Sequence, residues 1–544
     1  MTTAGAALWA AAAPVGAQQV LDRVDPSAQS NERAADGPPA TPAPAPVVVE
    51  SSTPLPPAST ASITVGAITF SGLSRLTPAD FAGVIEPYLG RVATPQDLQV
   101  LTGAVAARAR ARGYVFATAA IAPQRLTSGV LLITVEEGRI DAIRLQGDHE
   151  PAVLTALQPL VTGLPVTLAE VERRLLIAGD VDGVRISGSR FVREGGRGIL
   201  VVTVARTRLT GRVALRNDGT APLGPVQASV SLSAAGLLAV DDILSLTWIG
   251  TPFDPEELNY GRVRYAKRVS EAGTEVAVSG SISASRPGAY VAPFRIRGES
   301  WFAGVSLMHP LARRRASSLW LDVELDVRDL AQDRAGTPVR RDRLAVARLG
   351  AHGFAKLANG RVRGGLSVAR GLDLFGATEA GDPLASRNDA DGTFTTFDGW
   401  ADWTRPLGAG FSVRAAMEAQ VATEPLLVSE EVGLGGSAFL RAYDWSERSG
   451  DHGAMGSLEV RLDLKRPLGV ARNAQLYTFF DAGHVSDLRS GRGGGSLAST
   501  GGGMRTDIVT GLSAAFEMAI PLTGPRYETG DRAPRVTFGL AKSF

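Results

Sequence analysis

The feature that most constrains the fold is a change in hydrophobic periodicity near residue 208. From Arg208 to the C-terminus apolar and polar residues alternate with a period of two, and no segment carries a helical pattern. In the stretch LWLDVELDVRD, the charged residues Asp322, Glu324 and Asp326 share one face. The other face is formed by Leu319, Leu321, Val323, Leu325 and Val327. Such alternation predicts strands whose two faces meet different environments.

Connection lengths distinguish a membrane barrel from a soluble sandwich, whose strands also alternate. Sixteen strands are predicted, at 210–218, 224–236, 241–251, 257–270, 273–285, 297–310, 314–330, 340–356, 360–371, 392–405, 410–421, 453–466, 473–485, 496–508, 511–522 and 534–544. Connections after even strands are short, whereas those after odd strands include the long polar segments 372–391 and 422–452. Short turns on one side and long loops on the other are typical of outer-membrane barrels. Residues 208–544 are therefore predicted to form a 16-stranded antiparallel transmembrane β-barrel.

Two α+β units precede the predicted barrel. Residues 63–138 and 139–207 each show the order β-α-α-β-β, with apolar strands around two amphipathic segments. Consecutive copies of one supersecondary unit indicate a short tandem array of small domains.

The N-terminal region has three parts. Residues 1–17 resemble a secretory signal cleaved after Ala17, although no basic residue precedes the apolar stretch, and a buried helix is the alternative interpretation. Residues 18–36 predict a short polar helix, and 37–62 is a Pro/Ala-rich extended linker.

Composition excludes several function classes. The net charge of +1 gives no reason to expect nucleic-acid binding. The chain has no cysteine and only five scattered histidines, so no metal site or cofactor is predicted. No nucleophile–base grouping indicates an enzyme, and no apolar run is long enough for a transmembrane helix.

Four sequence segments resemble the TpsB transporters of two-partner secretion, the haemolysin activation-secretion type, which carry two POTRA domains before a 16-stranded barrel. They are RGYVFATAAIAPQRLTSGVLLITVEEGRI (112–140), LRNDGTAPLG (215–224), GLGGSAFLRAYDWSERSGDHG (433–453) and FFDAG (479–483). The first resembles the end of the family's first POTRA domain, the second its entry to the barrel, the third its sixth extracellular loop and the fourth its thirteenth barrel strand. Partner-binding POTRA positions implied by the resemblance are Gly113, Tyr114, Gln124, Gly129 and Gly138.

The resemblance implies that the sixth loop folds into the lumen and that Arg441 pairs with Asp481, with Tyr443 wedged nearby. The implied loop motif comprises Gly435, Gly436, Leu440, Ala442, Gly450, Asp451 and Gly453, and the strand motif comprises Phe479, Phe480 and Gly483. Where the family has glycine after the arginine, this chain has Ala442, which is expected to be strained if the tip requires a positive φ there.

The resemblance also implies a function without a catalytic site. It implies an outer-membrane pore of a Gram-negative bacterium, with periplasmic POTRA domains, that exports a large unfolded exoprotein of the TpsA type through recognition of its N-terminal secretion domain. Residues 18–36 resemble the family's plug helix, and the C-terminal Phe544 resembles the signal read by the barrel-assembly machinery. Lumen charges such as Asp322, Glu324, Glu459 and Asp463 are expected to keep the path wet. An insertase-type relative and a diffusion porin remain alternatives.

Overall fold

The computed structural model describes residues 47–49, 62–124, 129–465, 469, 471–489 and 493–544. The predicted signal segment 1–17, the predicted helix 18–36 and most of the linker lie outside the described residues.

The described chain begins with strand β1 (Val47–Val49). The first α+β unit follows as β2 (Ile63–Val65), β3 (Ala67–Ser71), α1 (Ala82–Ile85), β4 (Arg91–Ala93), α2 (Pro95–Ala111), β5 (Thr118–Ala120) and β6 (Val130–Glu136). The second unit comprises β7 (Ala142–Gly147), α3 (Pro151–Leu157), α4 (Leu168–Gly179), β8 (Val184–Glu194) and β9 (Arg197–Arg206). Short 3-10 turns lie at Pro78–Phe81, Glu86–Tyr88 and Gln158–Leu160.

Helix α2 shows how the sequence determines local structure in the first unit. Thr94 caps it by accepting a hydrogen bond from the Asp97 amide at 3.2 Å, while the Asp97 carboxylate accepts one from the Thr94 amide at 2.8 Å. Leu101 and Val105 of this helix are fully buried, in a core that includes Leu131 of β6. The sheet has the order β3-β6-β5, and β2 pairs with β4, a strand that the pattern did not predict.

Linker residues extend the sheet of the second unit. Its strand order is β1-β8-β9-β7, and β1 runs parallel to β8 with Val47 opposite Ser189 and Val49 opposite Phe191. The linker is therefore not wholly separate from the domains. The physical reason is that three consecutive valines favour a strand and that the outer edge of β8 offers unpaired backbone groups.

Sixteen strands close into an antiparallel barrel, which confirms the predicted fold class. Its strands are β10 (Leu209–Arg216), β11 (Gln227–Ala235), β12 (Asp242–Gly250), β13 (Asn259–Arg268), β14 (Glu275–Ser285), β15 (Ile296–Arg313), β16 (Ser317–Arg334), β17 (Thr337–Leu357), β18 (Gly360–Gly371), β19 (Thr395–Gly408) and β20 (Phe411–Ala422), then β23 (His452–Lys465), β24 (Asn473–Ser486), β25 (Gly495–Val509), β26 (Leu512–Pro521) and β27 (Arg535–Ser543). Between β20 and β23 lie the short strands β21 (Val432–Leu434) and β22 (Arg448–Gly450). Pairing of Arg212–Arg216 with Gly539–Ser543 closes the barrel.

The outer face of the barrel is apolar. Leu325, Leu366 and Phe397 are more than half exposed and point outward, as lipid-facing residues do. In the described ranges, no helix has the length and apolarity needed to cross a membrane.

Helix α4 fixes the second unit to the short turns of the barrel. Asp180, which follows α4, accepts a hydrogen bond from Arg313 Nε at 2.7 Å, and Glu172 accepts one from Arg315 Nε at 2.9 Å. Because these turns lie at one mouth of the lumen, the second unit lies beside that mouth.

Candidate functional site in the barrel lumen

The long loop between β20 and β23 folds inward as a hairpin. Strands β21 and β22 pair antiparallel, with Val432 opposite Gly450, and carry the loop tip to the inner wall near β24. At the start of the tip Gly435 has a φ of +112°, and an added Cβ would lie 1.9 Å from the Asp444 carbonyl oxygen. Gly436 has a φ of +107° and donates its amide to the Tyr443 carbonyl. Glycine is therefore required where the hairpin tightens.

Arg441 at the tip of this loop meets Asp481 of β24. Its Nε and Nη2 donate to the two carboxylate oxygens at 3.1 and 3.0 Å, and the Arg441 amide donates to the same group at 3.2 Å. The guanidinium carbon also lies 3.4 Å from the ring centroid of Phe479. Arg441 is 4% exposed and Asp481 is fully buried, so this bidentate pair lies out of water.

Further partners surround Arg441 that the sequence did not predict. Nη1 donates to Glu459 at 3.0 Å and to Glu517 at 3.3 Å, and Nη2 donates to Ser457 at 3.1 Å. We call Arg441, Asp481, Glu459 and Glu517 the Arg441 cluster. The pairing register places Ser457 opposite Asp481, which explains their proximity but cannot be seen from sequence alone.

Glu459 corrects one expectation. It was predicted to keep the transport path wet, yet it is fully buried. It accepts hydrogen bonds from Arg461 at 2.6 Å and Arg505 at 3.0 Å as well as from Arg441. Its charge is therefore engaged by three guanidinium groups, one from the loop tip, one from its own strand and one from β25.

Residues of the FFDAG segment alternate between the inner and outer faces of β24 and so have different surroundings. Phe479 faces inward under Arg441 and is 3% exposed, whereas Phe480 faces outward and is 49% exposed. A Cβ at Gly483 would lie 2.8 Å from Leu434 Cδ2 and 3.0 Å from Leu440 Cδ1. The absent side chain at Gly483 therefore leaves room for the loop.

The left-handed residue at the tip is Leu440, not Ala442. Leu440 has a φ of +55°, whereas Ala442 is not among the residues with positive φ. The strain anticipated at Ala442 is therefore absent from this conformation. The Tyr443 amide donates to the Leu440 carbonyl at 2.9 Å and closes the turn, and all three side chains are fully buried.

Tyr443 joins the tip to the loop between β26 and β27. Its hydroxyl lies 3.1 Å from both Thr523 Oγ1 and the Gly524 carbonyl, and its own carbonyl accepts a hydrogen bond from Arg535 at 2.8 Å. Arg535 also meets the Asp444 carboxylate at 3.2 Å. The segment from Thr523 to Arg535 therefore holds the tip in addition to its contact with Asp481.

The carboxyl groups of Glu528 and Asp444 form a hydrogen-bonded pair between the loop joining β26 to β27 and the tip, and this pair predicts that the contact depends on pH. Burial, followed by the hydrogen bond and charge of Asp444, raises the pKa of Glu528 from 4.5 to about 7. A raised pKa means that the contact is fully present below the ordinary value and weakens as pH rises through about 7. A spin label on Arg532→Cys, the single cysteine in the chain, should become more mobile between about pH 5.5 and about pH 8.5. Glu528→Gln should abolish the change, and mobility that is independent of pH in the unsubstituted background would contradict the assignment.

Comparisons with known proteins place these features in one family. A model of the haemolysin secretion/activation proteins ShlB/FhaC/HecB matches residues 195–506, more than half of the chain. The chain belongs to this family. A model of the ShlB-type POTRA domain matches residues 63–138.

Relatives agree with this assignment. The outer membrane transporter CdiB of Escherichia coli is 30% identical over 182 residues, which are 33% of this chain and 31% of CdiB. The heme/hemopexin transporter protein HuxB of Haemophilus influenzae is 21% identical over 422 residues, covering 74% of this chain and 72% of HuxB. The match to the first of these relatives thus spans about a third of its length.

Solved structures agree in fold. The structure of CdiB from Escherichia coli superposes with a TM-score of 0.72 and 22% identity over 97% of both chains. BamA from Haemophilus ducreyi lacking POTRA domains 1–3 gives 0.52 and 13% identity, over 89% of this chain and 100% of that one. As a member of the ShlB/FhaC/HecB family, the chain is a Gram-negative outer-membrane protein with periplasmic POTRA domains.

Asp451, part of the family-like loop motif, is a hub between three extracellular loops. It is fully buried and accepts hydrogen bonds at 2.7 Å from the amides of Leu426 and Leu488. Arg387, from the loop between β18 and β19, donates to Asp451 at 2.7 Å and to Glu431 at 2.9 Å. Burial lowers the pKa of Arg387, but Glu431 and Asp451 outweigh this and raise it above its ordinary value. Sequence reasoning missed Arg387, because a single arginine in a long polar loop carries no pattern.

Removing Arg387 should loosen this hub. Arg387→Ala leaves Asp451 and Glu431 buried without their cation, a change that typically costs about 3–5 kcal/mol. Protease added to intact cells should then cleave segment 372–394 at least about tenfold faster. The matched control Arg489→Ala, at an exposed arginine of the adjoining loop, should leave the rate unchanged. Equal cleavage in native and Arg387→Ala chains would refute the hub.

The long loop between β20 and β23 also contacts a second part of the barrel wall, on β16 and β17, through Glu430. Glu430 bonds Arg328 Nη1 at 2.8 Å and Arg348 Nη2 at 2.9 Å, and both arginines also bond Asp326. The loop therefore crosses the lumen, with ionic contacts on β16 and β17 at its base and on β24 at its tip.

Two of the predicted POTRA residues lie at the joint between the two units. The Gly113 carbonyl accepts a hydrogen bond from Leu168, and the Gly138 carbonyl accepts one from Val166. A Cβ at Gly138 would lie 2.5 Å from Phe116 Cβ. These positions fix the angle between the domains, and their part in partner binding stays a prediction.

The other three predicted POTRA residues support the first sheet. Gln124 exchanges side-chain hydrogen bonds with the backbone of Leu132, at 3.0 Å from its amide and 2.8 Å to its carbonyl. The Gly129 carbonyl accepts a hydrogen bond from Gly66, and Tyr114 packs against the core of the first unit. Their role in binding a partner likewise stays a prediction.

The remaining motif residues lie where neighbouring atoms approach closely. A Cβ at Gly450 would lie 2.8 Å from the Ser486 carbonyl oxygen, and one at Gly453 would lie 2.5 Å from Val432 Cγ1. The ring of Phe544 covers Gly211 of β10, where a Cβ would lie 2.2 Å from it. Within the described residues no group of three or more His, Asp or Glu side chains could hold a metal ion.

Proposed function

We propose that this chain exports a large, unfolded, β-helix-forming exoprotein from the periplasm to the cell surface by two-partner secretion, without nucleotide hydrolysis. The observation that carries the proposal is the loop held across the lumen by ionic contacts at both its base and its tip. A passive pore has no need of a loop fixed inside its lumen by a buried bidentate pair.

The chemistry of these contacts suits a loop that must be released. Burying both partners of an ion pair offsets much of its Coulombic gain, so the pair fixes position more than it stabilises. When a polypeptide and water enter the lumen, Arg441 and Asp481 can be solvated again. The Arg441 cluster thus specifies one closed arrangement of the loop while leaving an open arrangement within reach.

Capture of the exoprotein is assigned to the POTRA domains. The partner is a TpsA-type protein, bound through its N-terminal secretion domain as an added strand. The edge of β8 accepts Val47–Val49 as a parallel strand, which shows that an extended segment fits there. A passenger strand that takes this edge has to displace the linker, and residues 18–36 are proposed to leave the pore at the same step.

The driving force is assigned to folding outside the cell, since the periplasm supplies no nucleotide. A passenger segment that folds on emergence cannot return through the lumen, so thermal motion becomes net outward movement. Two further partners belong to the barrel itself: outer-membrane lipid around its apolar face, and the barrel-assembly machinery that reads Phe544 during biogenesis.

Reconstitution tests the proposal without cells. The purified chain is placed in liposomes with the POTRA domains outward, and an unfolded TpsA-type exoprotein from the same bacterium is added. Protease-protected exoprotein should accumulate without nucleotide, and it should not accumulate in liposomes that lack the chain. A requirement for nucleotide, or no protection at all, would overturn the proposal.

A further inference from the structure

A row of side chains crosses four neighbouring strands on the inner wall of the barrel. The pairing register places Trp320 of β16 opposite His352 of β17, His352 opposite Gly365 of β18, and Gly365 opposite Trp400 of β19. Trp320, His352 and Trp400 line a lumen cavity of about 1950 Å³ at the mouth beside the second POTRA domain. We call these four positions the vestibule row.

The row is a built surface of aromatic rings and cations. The rings of Trp320 and His352 stack at 5.2 Å with 8° between their planes, and the guanidinium carbon of Arg313 lies 5.1 Å from the Trp320 ring. Next to the row, Arg361 lies 4.3 Å from the ring of Phe354. The structure thus places aromatic faces and guanidinium groups side by side on one wall.

Gly365 gives Trp400 its position. A Cβ at Gly365 would lie 2.6 Å from Trp400 Nε1 and 3.2 Å from His352 Cβ. The indole therefore occupies the space that a side chain at this position would fill. This arrangement leaves Trp400 37% exposed toward the lumen.

Trp400, which is 37% exposed, and the half-buried Trp320 and His352 present aromatic ring surface to the lumen, and such a surface calls for an occupant. Barrel interiors are ordinarily polar, and contiguous exposed apolar surface usually marks a binding site. The cavity exceeds the 300–1,000 Å³ typical of small-molecule sites. Leu176 and Asp180, from α4 and its end, line the same cavity, so the surface is continuous with the POTRA domain. A polymer segment that arrives from that domain fits the size and place.

We propose that the vestibule row is the first contact surface inside the barrel for the passenger, an extended polypeptide that slides across it; this rests on the export function proposed above. The row spans three strand intervals, about 14 Å, which is the length of about four residues of extended chain. Aromatic faces accept aliphatic, aromatic and peptide groups alike, while the exposed Arg361 offers donors to carboxylates and carbonyls. Such contacts tolerate any sequence, as a surface over which a long chain moves must.

Site-specific crosslinking tests the placement. A photoreactive phenylalanine replaces Trp320, Trp400 or the control Trp403 in the full chain. Trp403 lies on the same strand as Trp400 but faces outward, with Nε1 donating to the Leu357 carbonyl at 3.2 Å. The probe is an N-terminal fragment of a TpsA-type exoprotein from the same bacterium, fused to a folded domain that stalls it in the pore. Adducts with the probe are expected from 320 and 400 and not from 403.

Export rates give a second readout. The double variant Trp320→Ser, Trp400→Ser should export the unfused exoprotein at least about fivefold more slowly than the native chain. The comparison is made at equal amounts of folded barrel, measured by its heat-modifiable migration in electrophoresis. Trp403→Ser should match the native chain. If the double variant assembles poorly, Trp400→Ser alone is compared with Trp403→Ser.

The outcomes separate this inference from the proposed function. Crosslinks confined to this chain's own residues 1–46, absence of adducts with the probe, or export by the serine variants at the native rate would each overturn the vestibule row while native export stands. Failure of the native chain to export the exoprotein at all would instead overturn the function on which the row rests.

Discussion

Replacing Arg441 with alanine should release the sixth loop from the barrel wall and reduce export at least about tenfold. The substitution removes a 4%-exposed guanidinium and leaves Asp481 and Glu459, both fully buried, without it. Breaking a buried pair in this way costs about 3–5 kcal/mol, enough to shift the equilibrium between docked and released loop by about a hundredfold or more. Export is measured as exoprotein in the medium, and loop release as larger and noisier single-channel currents in planar bilayers.

Two further variants sharpen this prediction. Arg448→Ala, an exposed arginine of the same loop, should retain native export because its side chain donates only to the Gly494 carbonyl among the contacts described. Arg441→Lys keeps the charge but loses the bidentate geometry, so it should fall between native and alanine. Native export and quiet currents from Arg441→Ala would show that the cluster does not hold the loop.

Replacing Gly483 with valine should release the same loop by steric means, without removing a charge. A Cβ at this position would lie 2.8 Å from Leu434 Cδ2, 3.0 Å from Leu440 Cδ1 and 3.0 Å from Met455 Cβ. The added methyl groups of valine cannot fit while the loop is docked, and overpacking of this kind costs about 1–3 kcal/mol. Export should fall about fivefold or more, and channel currents should resemble those of Arg441→Ala.

The matched control for this substitution is Gly539→Val on β27. A Cβ at Gly539 meets only ordinary contacts, at 3.6 Å from Arg216 and 3.9 Å from Ala515. It should therefore retain quiet currents and native export. Equal effects of both valines would mean that Gly483→Val acts by disturbing the barrel and not by displacing the loop.

The strands of the barrel could be predicted because their physics is local. Each strand alternates between lipid and lumen, so stretches such as Leu319–Val327 reveal both the strand and its two faces. The sixteen strands of the closed barrel follow the predicted segments, with ends that differ by a few residues. The largest differences are at β16, which spans Ser317–Arg334 against the predicted 314–330, and at β19, which spans Thr395–Gly408 against the predicted 392–405.

The full set of contacts around Arg441 could not be predicted, because it depends on register between distant strands. Ser457 pairs with Asp481, and Glu459 pairs with Phe479. This register places Ser457, Asp481 and Glu459 around the Arg441 guanidinium. Nothing in the local pattern around Glu459 distinguishes it from Asp463, which lies four residues further along the same strand. The strand formed by Val47–Val49 was missed for a similar reason, since its partner β8 lies far away in the chain.

The measurement that tests the central claim most directly is surface delivery of a TpsA-type exoprotein from the same bacterium. Cells that lack their own copy receive the native chain, Arg441→Ala, or the chain without residues 63–138, with equal barrel in the outer membrane. The account predicts delivery by the native chain and at least about a tenfold loss in both variants. Undiminished delivery by either variant would contradict it, and so would a general loss of outer-membrane proteins in cells without the chain, which is the result expected of an insertase.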